Sequence, residues 1–195
     1  MTFTDLSPAA SRMADLIGAV PDDLLTAPTP CAGYTVADLL DHIDRFTLAF
    51  TAAAAKAASG LTGGPVGDGA RLGPDWRARI RDRLSALPPA WQDPAARSGM
   101  TRAGGIDMPA EVAHVVALEE LTIHGWDLAR ASGQPFAPGD GELEVVRGFI
   151  AQFAGPDQEE LRGDAYRSPV PVAGTAPLLD RVVALSGRDP SWSPS

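Results

Sequence analysis

The stretch from about Pro109 to Ser132 constrains this chain more than any other, because it is apolar around most of a helix circumference. Val112, Val115, Val116, Leu118, Leu121, Ile123, Trp126 and Leu128 recur at helical rather than alternating spacing. A helix apolar on so many sides needs other elements to cover it, so it implies a bundle. Gly133 supplies its stop.

The other periodic segments are helical too. A first helix is expected from about Ser7 to Gly18, with Ser7 as cap, Pro8 at the first helical position, and Met13, Leu16, Ile17 and Val20 as its apolar stripe. Pro21 and then Pro28-Thr29-Pro30 separate it from the next element. Thr35 and Asp38 then open a second helix with a near capping box. Its stripe runs Val36, Leu39, Leu40, Ile43, Phe46, Thr47 and Phe50, fading through Ala52 to Ala58 toward Gly60. A third helix spans about Pro74 to Ala86, stopped by Pro88-Pro89, a fifth about Gly141 to Ala154, and a short one lies near Ala176 to Leu185. No stretch shows the strict alternation of a half-buried strand, and residues 90 to 107 read as irregular. The expected fold class is all-α.

Charge and cysteine content narrow the function. With 16 basic against 25 acidic residues the net charge is −9, which argues against a nucleic-acid partner. Cys31 is the only cysteine, so no intrachain disulfide forms and no oxidising compartment is needed. The start, Met1-Thr2-Phe3-Thr4-Asp5-Leu6, lacks the basic residues and apolar run of a signal peptide, and no apolar run reaches membrane-span length. A cytoplasmic protein without a membrane partner is expected. The glycine-rich residues 60 to 73 follow no strand and fit neither phosphate-binding spacing. They read as a mobile connection or lid.

One polar stripe interrupts the apolar fourth helix. At 100° per residue, Ala113, Ala117, Glu120, His124, Asp127 and Ala131 fall within about 80° of one another. Glu120 and His124, four apart, share a face, and the alanines leave room beside them. His42 sits at the margin of the second helix's apolar stripe, about 40° from Phe46, where it can point into a bundle. Two imidazoles and a carboxylate on facing helices suit zinc or another first-row divalent metal, with a coordination position left open. Plainer readings exist for each piece. His42 can be a hydrogen-bonded structural histidine, and a Glu–His pair at this spacing can be an intrahelical contact worth a few tenths of a kcal/mol. Spacing alone leaves open whether His42 faces Glu120, because helix packing decides that. Asp127 reads as a group orienting His124 or as a partner of Arg130, ahead of direct ligation of the metal. His114 reads as structural or surface, Trp126 as core, and Cys31 as a small buried residue.

Two stretches resemble known signatures. Thr29-Pro30-Cys31-Ala32-Gly33-Tyr34-Thr35-Val36-Ala37-Asp38-Leu39-Leu40-Asp41-His42 is similar to the N-terminal signature of mycothiol-dependent maleylpyruvate isomerase-like proteins of the DinB superfamily. Glu120-Leu121-Thr122-Ile123-His124-Gly125-Trp126-Asp127-Leu128-Ala129-Arg130 resembles their second, more specific signature. The tail, from Pro169-Val170-Pro171-Val172 through Asp180-Arg181 to Gly187-Arg188-Asp189-Pro190, is similar to the end of a small actinobacterial metal-binding subfamily. One departure is Tyr34, where the family usually carries Trp. The resemblance implies a DinB-like four-helix bundle over residues 1–156, with a short C-terminal extension, 157–195, packing on it. It implies His42, Glu120 and His124 as metal ligands and a low-molecular-weight thiol such as mycothiol as co-substrate.

Three functions follow as expectations. The first is an S-transferase or isomerase in which the metal, expected to be Zn2+, activates the external thiol for attack on a small electrophile. Glu120 and Asp127 would then carry catalytic roles, and Arg130 or Arg181 would hold the cofactor or an acidic substrate. The second is hydrolysis by metal-activated water. The third is a non-catalytic metal-binding protein. A homodimer through the bundle faces stays open.

Overall fold

Thr35 and Asp38 form a full capping box. The Thr35 hydroxyl accepts from the Asp38 amide at 3.2 Å, and the Asp38 carboxylate accepts from the Thr35 amide at 2.9 Å. This cap starts α2 (Val36–Ala54), one of four long helices with α1 (Ser7–Ala19), α3 (Trp76–Ala90) and α4 (Ala110–Ser132). The computed structural model describes residues 4–60, 66–162 and 166–194.

The helices pack in a ring: α1 against α3, α3 against α2, α2 against α4, and α4 against α1. Each contributes its predicted stripe. Met13, Ile17, Leu39, Leu40, Ile43, Ile80, Leu84, Leu87, Leu118 and Leu121 are all buried in one core, each worth about 1.5–3 kcal/mol of burial. This ring makes α2 and α4 neighbours, which fixes where His42 lies relative to Glu120 and His124. The architecture is the expected all-α, DinB-like one.

Outside the ring, α5 (Asp140–Ile150) lies on α4, and α7 (Leu178–Leu185) lies on α5, with the single turn α6 (Glu159–Arg162) between them in sequence. An Arg12–Glu142 ion pair ties α1 to α5. Val182 of α7 joins the same core as the bundle.

Four local features differ from the sequence reading. The stretch read as irregular holds a hairpin, β1 (Met100–Ala103) and β2 (Ile106–Pro109), with Met100 paired to Pro109 and Ala103 to Ile106. Its alternation lasts only four residues, and its turn is Gly104-Gly105, both at positive φ. The third helix runs through Pro88-Pro89 to Ala90. Proline's fixed φ is helical, so in a last turn it forfeits only the amide bonds it cannot donate, while Leu87 and Pro88 are buried. The second helix stops at Ala54, where Lys56 turns left-handed at φ 55°. At the first helix, Asp5 rather than Ser7 supplies the capping oxygen, accepting from the Ser7 amide at 2.9 Å.

Part of the glycine-rich connection is tied down. Asp38 accepts from the Gly69 amide at 2.7 Å, and Asp41 accepts from the Asp68 amide at 3.0 Å and from Arg71 at 2.6 Å. Residues 66–71 are thus a strap bound to α2, not a free connection, because two aspartates on that helix hold its amides. Residues 61–65, the rest of the expected lid, lie outside the described residues.

Candidate metal centre

His42 comes from the second turn of α2 and Glu120 and His124 from consecutive turns of α4. Nε2 of His42 and Nε2 of His124 each lie 3.2 Å from the same oxygen, Oε2 of Glu120. One ligand atom from each residue lies within 4.8 Å of the other two. Two imidazoles from different helices therefore converge on one carboxylate oxygen.

This spacing fits a metal's donor set. With metal–nitrogen and metal–oxygen bonds of about 2.0–2.1 Å, tetrahedral donors stand about 3.3 Å apart. Without a metal the same 3.2 Å contacts are hydrogen bonds at the long end of the ordinary range. Burial works against the charge of Glu120, but the hydrogen bonds from His124 and His42 hold its carboxyl well below the usual carboxylate range. Burial likewise works against charge on His124, yet the hydrogen bonds to Asp127 and Glu120 push its pKa up to about 10. A metal bound here would have to displace the proton that these hydrogen bonds favour on His124.

Asp127 sits behind His124. Its Oδ2 is 2.9 Å from His124 Nδ1, and its side chain is wholly buried. Arg188, beyond α7, grips the same carboxylate, with Nε 3.2 Å from Oδ1 and Nη2 3.0 Å from Oδ2. Burial disfavours the Asp127 charge, but the Arg188 guanidinium and the His124 bond keep its pKa low. A carboxylate behind a ligating imidazole fixes its tautomer and ring angle.

Aromatic rings wall the centre. His42 meets Tyr34 edge-on at 5.9 Å and Phe46 at 5.6 Å, and Phe46 stacks toward His124 at 6.4 Å. The Tyr34 hydroxyl accepts from the Gly67 amide at 2.8 Å, joining this wall to the strap. A Cβ on Gly67 would stand 2.1 Å from the Asp38 carbonyl and 3.2 Å from Cβ of His42, so only glycine lets the strap lie this close.

Cys31 corrects its expected place. It is half-buried rather than interior, with its sulfur within 4.8 Å of His124 and Asp127 ligand atoms. The loop that carries it doubles back through a Pro28–Thr35 bridge and a Tyr34-to-Cys31 backbone bond of 3.0 Å, geometry no periodic pattern announces. Burial pushes the thiol pKa up, with His124 pulling the other way.

The sequence reading passed over Glu119, Tyr166 and Arg188. Glu119 is buried; burial and the adjacent Glu120 raise its pKa to about 8, and Tyr166 hydrogen-bonds to it. The two neighbouring carboxyls are thus pushed in opposite directions, Glu119 toward its protonated form and Glu120 toward its ionised form. Arg188 stands inside the quoted tail motif, whereas the arginines expected at the site were Arg181 of that motif and Arg130 of the second signature. Arg130 donates to the Pro190 carbonyl at 2.8 Å and lies 5.7 Å from the Trp126 ring, so it fastens the tail. Arg181 is in the first turn of α7. Among the described residues no hydrogen bond or ion pair links either arginine to the triad. His114 is buried against Trp91, with ring centroids 5.4 Å apart, away from the centre.

The fold and this donor set define an all-α, DinB-like protein with a candidate His–Glu–His metal centre. The chain belongs to the mycothiol maleylpyruvate isomerase N-terminal domain family, whose model matches residues 6–129. That span includes the triad and Asp127 but not Tyr166 or Arg188. Two uncharacterized proteins from strains of Mycobacterium tuberculosis are each 28 % identical over 189 residues, covering 92 % of this chain and 93 % of theirs. The fold is similar to crystal structures of the mycothiol-dependent maleylpyruvate isomerase and of a histidine-to-alanine mutant of it. Their TM-scores are 0.58 and 0.57 at 20 % identity, over 77 % of this chain and 70 % of theirs. Among the described residues no helix is long and apolar enough to cross a membrane.

Proposed function

We propose that this protein is a divalent-metal enzyme that uses a low-molecular-weight thiol, mycothiol, against a small electrophilic substrate, as an isomerase or S-transferase. The observation that carries the reading is the convergence of His42 and His124 on one oxygen of Glu120. Family membership supports the thiol and the substrate class.

His42, Glu120 and His124 would hold the metal, Zn2+ by their donor chemistry, and leave a position open. A metal there supplies one thing: it lowers the pKa of a bound thiol so that thiolate is present at neutral pH. The protein's residues do the rest. Glu120 brings the negative charge of the ligand set, with Glu119 beside it pushed toward its neutral form. Asp127 orients His124. Tyr34 and Phe46 give the centre an apolar wall that limits water. Cys31 is not needed as nucleophile, since burial holds it as a thiol.

The test is elemental analysis of the purified protein, followed by mycothiol consumption with maleylpyruvate or another unsaturated acid. The expected result is bound metal, substrate-dependent turnover, and loss of both in His42→Ala. A metal-loaded protein that neither consumes the thiol nor isomerises any such acid would remove the thiol reading.

A further inference from the structure

The hydrogen-bond chain behind His124 leads out of the bundle. Both oxygens of Asp127 are engaged: Oδ2 takes His124 Nδ1 at 2.9 Å and Arg188 Nη2 at 3.0 Å, and Oδ1 takes Arg188 Nε at 3.2 Å. Asp127 is 0 % exposed, and the Arg188 side chain only 10 %. A bidentate guanidinium sets the plane of a carboxylate as well as its place, which a single hydrogen bond does not. Once that plane is set, the acceptor for Nδ1–H has one position. The ring of His124 can then turn only so as to aim Nε2 at Glu120, 3.2 Å away.

We propose that Arg188 is a positioning residue for the metal centre: by gripping Asp127 it holds the His124 ring with Nδ1–H on the carboxylate and Nε2 presented to the metal. This rests on the reading of the triad as a metal site, and extends it to a residue 61 positions from Asp127. The supporting anchor lies beside it. Arg130, three residues beyond Asp127 on α4, donates to the Pro190 carbonyl, so the tail is also fastened to α4 two residues past Arg188. The competing role is purely structural, with the ion pair docking the tail and leaving the ring of His124 indifferent to it.

Zinc affinity separates the two. The parent, Arg188→Met, Arg188→Lys and Asp127→Asn proteins would be titrated with zinc against a chromophoric chelator, their folding checked by circular dichroism. Loss of a group that orients a ligating histidine costs about 10–100-fold in affinity, which is the loss expected for Arg188→Met and Asp127→Asn, with partial recovery in Arg188→Lys. A folded Arg188→Met protein that binds zinc within about twofold of the parent overturns the positioning role. Should the methionine variant not fold, the parent alone decides. Imidazole nitrogen–proton correlation spectra of the zinc-loaded protein are expected to show His124 protonated at Nδ1 and metallated at Nε2. Metallation at Nδ1 overturns the proposal. A parent that takes up no zinc removes the metal reading itself and the relay with it, whereas a zinc-binding parent matched by its methionine variant removes the relay alone.

Discussion

Arg188 meets Asp127 with a two-pronged fork, Nε to Oδ1 at 3.2 Å and Nη2 to Oδ2 at 3.0 Å, across 61 residues of chain and largely shielded from solvent. Such a pair is poor evidence of net stability, but breaking it from one side is costly. Asp127→Ala should destabilise the metal-free protein by about 3–5 kcal/mol by leaving Arg188 buried and uncompensated. The double variant Asp127→Leu with Arg188→Met should recover most of that. Urea unfolding of the three proteins is the measurement, and equal losses in the single and double variants would refute the argument.

The centre's titration gives a second prediction. His124 has its pKa pushed up to about 10 in the metal-free protein, so it is charged at pH 8, and a metal needs it neutral. Binding should therefore release close to one proton from this residue, and affinity should weaken up to about tenfold per pH unit as pH falls below 10. Calorimetry in two buffers of different ionisation enthalpy reads the release directly. A binding enthalpy independent of buffer would contradict it.

The fold and the site were legible to different depths. The stripes of α2 and α4 announced themselves because 19 and 23 residues give several helical turns of pattern. Glu120 and His124 followed, since spacing within one helix fixes their shared face. His42 needed the ring order of the bundle, which no single stripe encodes. The hairpin was illegible because four residues are too few for an alternation to stand out. Arg188 was illegible for another reason: it reaches Asp127 from an irregular segment, where no period links the two.

His114, whose pKa is shifted in the opposite direction to that of His124, supplies a stability prediction. Burial, with Arg97 adding to it, lowers its pKa from 6.5 to about 4, so the unfolded chain takes up the proton first. Its contribution to stability is whole above pH 6.5 and lost as pH falls from there through 4. Urea midpoints of metal-free parent and His114→Leu should converge over that window as the parent declines faster. Parallel curves would exclude this assignment.

The strap over α2 gives a fourth. In Gly67→Ala the new methyl would meet the Asp38 carbonyl at 2.1 Å, so residues 66–71 must lift. A loss of about 1–3 kcal/mol is expected from the overpacking, with faster amide exchange at Gly67, Asp68 and Gly69. Unchanged exchange there would show that the strap absorbs the methyl without moving.

Cys31 gives the last. Because burial raises its pKa, iodoacetamide should label it slowly at pH 7, and Cys31→Ser should keep both bound metal and thiol turnover. Turnover lost with metal retained would make the protein's own sulfur part of the chemistry.

The distance along the chain between Asp127 and Arg188 also sets an order of events at birth. A ribosome adding about 5–20 residues per second needs about 3–12 s to cover those 61 positions. For that interval the nascent α4 carries its buried aspartate without the guanidinium that neutralises it. The helices can assemble early, with His124 as the aspartate's first partner, but its second counter-charge arrives only when Arg188 folds back.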